Sequence, residues 1–173
     1  MTIGHSTRTL ETFVHILRTF EVKQIVDVRT VPRSRHNPQF NRETLPDGLK
    51  PAGMEYLHLP GLGGLRHPRP GTENVGWRNA SFKGFADYME TSDFENHLGK
   101  LVELAQQKRT VLMCAEALPW RCHRSLIADA LEVRGIKVDH ILSSTHLQSH
   151  RMTPFAQVRG TRLVYPAEKT LTQ

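Results

Sequence analysis

Short apolar runs alternate with helical periodicities along the chain, and that alternation is the strongest constraint on its fold. "TIGHS" reads as a first strand running into a loop at Gly4-His5-Ser6. "TLETFVHILRTFEV" then sets Leu10, Phe13, Val14, Leu17 and Phe20 at helical spacing behind Thr9, a candidate cap. Four more runs read as buried strands: Ile25–Val28, Glu55–Leu59, "TVLMC" and "IKVDHIL". Between them, "RETLPDGL" suggests a short helix and "FKGFADYMETSDFENHLGKLVELAQQ" one or two more. "LRHPRPGTENVGWRNASF" has no periodicity and reads as a long irregular excursion. "CHRSLIADALEVRG" reads as a helix stopped by Gly135. Such alternation predicts a single compact α/β domain with a mainly parallel sheet of about five strands flanked by helices. One domain spans 1–173, with a basic C-terminal extension over 143–173.

A parallel sheet places its site outside the carboxyl ends of the strands. That rule collects His5 after the first strand, Asp27 and Arg29 at the end of the second, and Cys114 and Glu116 at the end of the fourth. The densest chemistry lies in "VLMCAEALPWRCHRSLIADAL", Val111–Leu131, at a strand–helix junction. Arg121, His123 and Arg124 stand where the helix begins, so its unpaired N–H groups and positive dipole end add to their charge. They form a candidate phosphate-binding corner with Glu116 beside it as a general acid/base or nucleophile. The alternatives are that Glu116 pairs with an arginine and that Arg124 bridges Asp27. Arg29, Arg33 and Arg35 share a loop with Ser34, and the guanidinium fork suits phosphate oxygens. Gly61, Gly63 and Gly64 permit close backbone approach to a ligand. Trp77, Phe82, Phe85 and Tyr88 lie among cations and read either as base-stacking surfaces or as core.

The thiols invite a comparison with rhodaneses and cysteine phosphatases, which curl a loop from a strand-end cysteine to a closing arginine at a helix start. "IVDVRTVP" is similar to a rhodanese strand. The spacing differs, however: "CAEALPWR" has six residues between Cys114 and Arg121 where those loops have five, Pro119 offers no N–H, and Glu116 adds a negative charge. Cys114 is then either a buried apolar thiol or a nucleophile activated by the helix start and its guanidinium groups, and Cys122 is open to the same two readings. The Cys-x7-Cys-His spacing matches no zinc-finger pattern and no second Cys pair supports it; His5 or His58 could complete a set from elsewhere, but no metal and no cofactor are expected.

Charge points to the partner class. The chain of 173 residues carries a net charge of +6, with a pI near 9.7. Val28–Arg42 holds four arginines and no acid, and His140–Ala167 is also free of acid. These segments favour an anionic ligand, a nucleotide or a nucleic acid. No apolar run has membrane-spanning length and the N-terminus does not read as a secretory signal, so no membrane partner is expected. With only two cysteines, the expected location is the cytoplasm with both thiols reduced. Nothing in the sequence sets an oligomeric state.

"TIGHS", "IVDVRTVPRSRHNPQF", "LPGLGG", "NVGWRNASFKGFADYM" and "MCAEALPWRCHRSLIADAL" resemble, in order, the signature blocks of a widespread bacterial domain-of-unknown-function family, number 488. The resemblance runs from about residue 2 to 142 and implies a compact α/β domain, usually alone in its chain. It carries no reaction with it. The residues favour an enzyme acting on a nucleotide or nucleic-acid substrate, with arginines on phosphate and Glu116 or Cys114 doing the chemistry. The alternatives are a non-catalytic nucleic-acid-binding module and a rhodanese- or phosphatase-like thiol enzyme.

Overall fold

In the computed structural model, which describes residues 1–167, a six-stranded sheet runs through the centre of the molecule. The elements in chain order are β1 (Thr2–Gly4), α1 (Leu10–Thr19), β2 (Gln24–Asp27), α2 (Leu45–Leu49) and β3 (Glu55–His58). They continue as α3 (Ala80–Tyr88), α4 (Ser92–Gln107), β4 (Thr110–Cys114), α5 (Arg124–Val133), β5 (Asp139–Ser143) and β6 (His146–Ser149). A hairpin, β7 (Gln157–Arg159) with β8 (Arg162–Val164), follows. The strand order is β3-β2-β4-β1-β5-β6. Its first five strands are parallel, and β6 folds back antiparallel on β5.

The period-two alternation of the strands divides the core between the two faces. Ile3, Ile25, Val111 and Met113 pack with Phe13, Leu17, Phe40, Leu45 and Leu49 on the α1–α2 side. Val26, Leu112 and Cys114 face the other way, against Phe85, Phe94, Leu98, Leu126 and Ile127 of α3, α4 and α5. Helix starts are set locally: the Thr9, Asn79 and Thr91 side chains accept N–H bonds at the starts of α1, α3 and α4. Helix α5 has no such cap, since His123 before it makes no side-chain bond to the helix.

The fold class agrees with the sequence, and the sheet is one strand larger than expected. Strand β6, "HLQS", has no apolar alternation, because it pairs at an edge with mostly exposed side chains. The 143–167 segment is tied into the domain. Tyr165 is fully buried; its backbone N–H donates to Asn74 Oδ1 at 2.8 Å and its hydroxyl to Asp129 Oδ2 at 3.0 Å. Asp129 also accepts from His150 Nε2 (2.8 Å), Thr153 N (3.0 Å) and Thr153 Oγ1 (2.7 Å). His150 Nδ1 in turn meets His140 Nε2 at 3.0 Å, and His140 Nδ1 meets Thr2 Oγ1 at 2.7 Å. Residues 168–173, the end of the expected extension, lie outside the described residues. No helix among the described residues is long and apolar enough to cross a membrane.

Candidate functional site

Because β4 lies between β2 and β1, the carboxyl ends that carry Asp27, Cys114 and His5 meet at one edge. His5 N donates to Cys114 O at 2.9 Å and Val28 N to Met113 O at 3.0 Å. Here Asp27 and Arg29 form a buried ion pair: Arg29 Nε reaches Asp27 Oδ1 at 2.9 Å and Nη2 reaches Oδ2 at 2.6 Å. Nη2 also donates to Phe40 O at 2.7 Å, and Nη1 donates to His5 Nε2 at 3.1 Å. A guanidinium only donates, so His5 Nε2 carries its lone pair and Nδ1–H donates to Ser6 O at 2.8 Å. The imidazole stacks on Phe40 at 4.3 Å between centroids. Burial lowers its pKa and the Arg29 charge adds to this, against the bond to Ser6. Both ring nitrogens of His5 are thus engaged inside the protein. Asp27 is completed by Tyr56, whose hydroxyl donates to Oδ2 at 2.6 Å, and not by Arg124.

The thiol cluster is built by the loop from β4 to α5. Its 3₁₀ turn, Pro119–Arg121, engages the N–H groups of Arg121 and Cys122 with the carbonyls of Leu118 (3.1 Å) and Pro119 (3.0 Å). Leu118 N donates to Glu116 Oε1 at 3.3 Å. Those three N–H groups therefore do not converge on an oxyanion, and the loop is not the phosphate cradle of a cysteine phosphatase. The turn instead returns Cys122 to the end of β4, where its Sγ lies within 4.8 Å of both the Cys114 Sγ and a ring nitrogen of His123. Cys122 Sγ lies 3.7 Å from His123 Nδ1. His123 Nε2–H donates to Leu62 O at 3.0 Å, which leaves Nδ1 as a lone pair facing sulfur. A Cβ on Gly64 would stand 2.5 Å from that nitrogen, so the imidazole occupies space only glycine leaves open.

Arg124, the first residue of α5, is 1 % exposed. Nη2 donates to Ala117 O at 2.8 Å, while Nε and Nη1 have no partner among the described residues. Gly4 makes room for it: a Cβ there would run into the Glu116 carbonyl and sit 2.8 Å from Arg124 Nη1. Burial lowers the guanidinium pKa, and the acidic groups acting on it are Cys122, Cys114 and Glu116. The hydrogen bond from Cys122 holds the Cys114 thiol well below its ordinary value against the effect of burial, with the Arg124 charge acting in the same direction. The bond to Cys114, reinforced by burial, pushes Cys122 well above its ordinary value.

Cys114, Cys122 and His123 line a cleft of about 350 Å³ with Glu116, Arg121 and Phe82 at its sides. A second hollow of about 470 Å³ adjoins it, sharing Arg29 and Glu116 and adding His5, Arg33 and Ser34. The arginines expected to share a phosphate are dispersed. Arg29 is engaged by Asp27, and Arg33 pairs with Glu43 at 2.7 Å. Arg124 is beneath the loop, and Arg35 lines neither hollow. Arg121 is exposed at the rim. Ser34 Oγ accepts from Asn37 N at 3.0 Å within its own loop. In the C-terminal basic segment, Arg159 and Arg162 pair with Glu73 and Glu90. Phe85 is core, Trp77 stacks on Phe82, and Tyr88 lies under the Arg66 guanidinium at 3.6 Å. His58 stands apart from the thiols, bonded to Arg29 O at 2.8 Å. Sequence reasoning weighed the two cysteines together only as metal ligands and did not pair them as interacting thiols. The signal was a turn-forming Pro between a strand-end cysteine and a helix-start cysteine.

Fold and site together define a mainly parallel α/β domain with a paired-thiol centre at the carboxyl edge of its sheet. The family described as "Domain of unknown function DUF488" matches residues 9–131 of the 173-residue chain. The protein belongs to that family, and both cysteines, His123 and Arg124 fall inside the matched region. No curated protein matches the chain, and no solved structure does.

Proposed function

We propose that the protein is a thiol-dependent enzyme that takes sulfur from an anionic sulfane donor, with Cys114 as nucleophile and Cys122 as its partner thiol. The observation that supports this reading is Arg124: a buried cation with unpaired N–H groups and no carboxylate bonded to it, flanked by two thiols. Such a charge is tolerated when a counter-anion is held beside it, and the Cys114 thiolate is that anion. The uncapped start of α5 acts in the same sense. Sulfur transfer fits better than phosphoryl transfer because the loop N–H groups of Leu118, Arg121 and Cys122 are already engaged. Arg121 at the rim receives the substrate's charge. With thiosulfate, the Cys114 thiolate attacks the outer sulfur, the S–S bond breaks and sulfite leaves with its electron pair, so that Cys114 carries a persulfide. Cys122 then attacks the Cys114 sulfur, displacing hydrosulfide and closing a disulfide that an external thiol reduces.

The test is to incubate the reduced protein with thiosulfate, measure sulfite, and locate added sulfur by peptide mass spectrometry. Sulfite release with one extra sulfur on Cys114, abolished in Cys114→Ser, is the expected result. In Cys122→Ser the persulfide forms and accumulates. If thiosulfate gives neither, while a nucleotide or modified-DNA substrate is turned over in Cys114→Ser and not in Glu116→Gln, the chemistry belongs to Glu116 and this reading fails.

A further inference from the structure

We propose that Cys114, Cys122 and His123 form a three-donor site for a zinc ion, with the fourth coordination position open to the cleft. The ligand atoms of the three residues lie within 4.8 Å of one another. In a tetrahedral site, Zn–S near 2.3 Å and Zn–N near 2.0–2.1 Å place sulfur and nitrogen about 3.6 Å apart. The Cys122 Sγ to His123 Nδ1 separation is 3.7 Å, so this edge of the tetrahedron already has the size the ion requires. His123 has the tautomer of a ligand: Nε2–H is fixed on the Leu62 carbonyl and Nδ1 is left as a lone pair. Second-shell bonds of this kind orient metal-bound imidazoles. Gly64 on one side and the edge contact with Phe85, at 5.0 Å between centroids, hold the ring in place.

All three donors line the 350 Å³ cleft, so water or an anion completes the shell from that side. Two thiolates neutralise the ion, and the neighbouring buried Arg124 guanidinium then favours an anionic fourth ligand. Sulfur and imidazole donors select zinc over magnesium or calcium. The site shares residues with the proposed function but does not depend on it. With zinc bound, Cys114 is a ligand and is no longer free to attack, so metal and sulfane substrate exclude each other.

The test uses the full-length protein, reduced and stripped of metal, titrated with zinc by calorimetry and with cobalt(II) by absorption spectroscopy. The expected result is one ion per chain, proton release, tetrahedral d–d bands and a sulfur-to-cobalt charge-transfer band. The charge-transfer band weakens in Cys122→Ser and again in the Cys114→Ser/Cys122→Ser double variant. His123→Ala loses affinity, and Gly64→Ala, which displaces the ring while keeping every ligand, loses about 10- to 100-fold. Circular dichroism on each variant separates ligand loss from misfolding. Octahedral cobalt, no thiolate band, or zinc affinity unchanged by Cys122→Ser overturns the site. Persulfide formation with no zinc binding leaves the proposed function standing alone; zinc binding with no sulfur transfer in the metal-free protein does the reverse.

Discussion

Replacing Arg124 with Met keeps a long unbranched side chain and removes only the charge, with separable effects on stability and reactivity. For stability, desolvating a charged group is unfavourable by several kcal/mol. Arg124 offsets this with one hydrogen bond, from Nη2 to Ala117 O at 2.8 Å, while Nε and Nη1 have no partner among the described residues. Losing a bond from a charged donor costs about 1.5–3 kcal/mol. The two effects are of similar size, so at a pH low enough to protonate Cys114 the unfolding free energy in urea should stay within about 1 kcal/mol of the parent, with a further loss only where Cys114 is ionised. For reactivity, two unit charges about 4 Å apart interact by about 4 kcal/mol at an effective dielectric near 20. At 1.36 kcal/mol per pKa unit this is an upper limit of about three units. Solvent in the cleft reduces it, so the apparent pKa for Cys114 alkylation should rise by less than that limit, and below that pKa the alkylation rate falls. The assay is the pseudo-first-order rate of iodoacetamide labelling across pH, with Arg124→Lys as a charge-retaining control that keeps the parent profile. An unshifted profile in Arg124→Met refutes the counter-ion argument.

Removing the thiol bond in Cys122→Ala should raise the apparent pKa of Cys114, since that bond is the first cause of its depression; an unchanged alkylation profile would mean the thiols act independently. Asp129→Asn places an amide where four donors converge, and should destabilise by about 3–5 kcal/mol in urea. The same variant should expose 150–166 to proteolysis, and an intact segment would show that Tyr165 is held by packing alone. Burial, assisted by His150, Arg124 and the amino terminus, brings the His140 pKa down to about 4 from 6.5, with Asp139 opposing. The unfolded chain therefore binds this proton first on acidification, so stability falls as pH drops from 6.5 towards 4 and is flat above. His140→Gln should flatten that slope in urea titrations, and an equal slope in both proteins would contradict it.

The fold was legible because its elements have clean periods. In β4 the alternation of Val111 and Met113 against Leu112 and Cys114 sorts the side chains onto two faces, as the structure has them. Strands β6 and β7 were not legible because their side chains are mostly exposed, and β8 because three residues, Leu163 and Val164 buried among them, are too short a run to show a period. Within the hairpin, Gly160 at a φ of 68° was the available cue. At the site, the carboxyl-edge rule brought His5, Arg29, Cys114 and Glu116 to two adjoining hollows, with Asp27 buried beneath Arg29. What the rule cannot give is which donors are already engaged. Arg29 looks like a phosphate ligand in the sequence, yet lies between Asp27, Phe40 and His5. Arg124 looks like a surface helix-start cation, yet Gly4 lets it lie buried under the loop. These are long-range facts, set by which strands neighbour one another.

The central claim is that one thiol of the pair is ionised and that it is Cys114. Brief labelling of the reduced native protein with limiting iodoacetamide at neutral pH, followed by peptide mass spectrometry, assigns the reactive sulfur directly. The account predicts label on Cys114 well below the pH of about 8.5 at which an unperturbed thiol ionises, with Cys122 unmodified until far more alkaline conditions. Label on Cys122 first, or on neither thiol until that ordinary range, would contradict it.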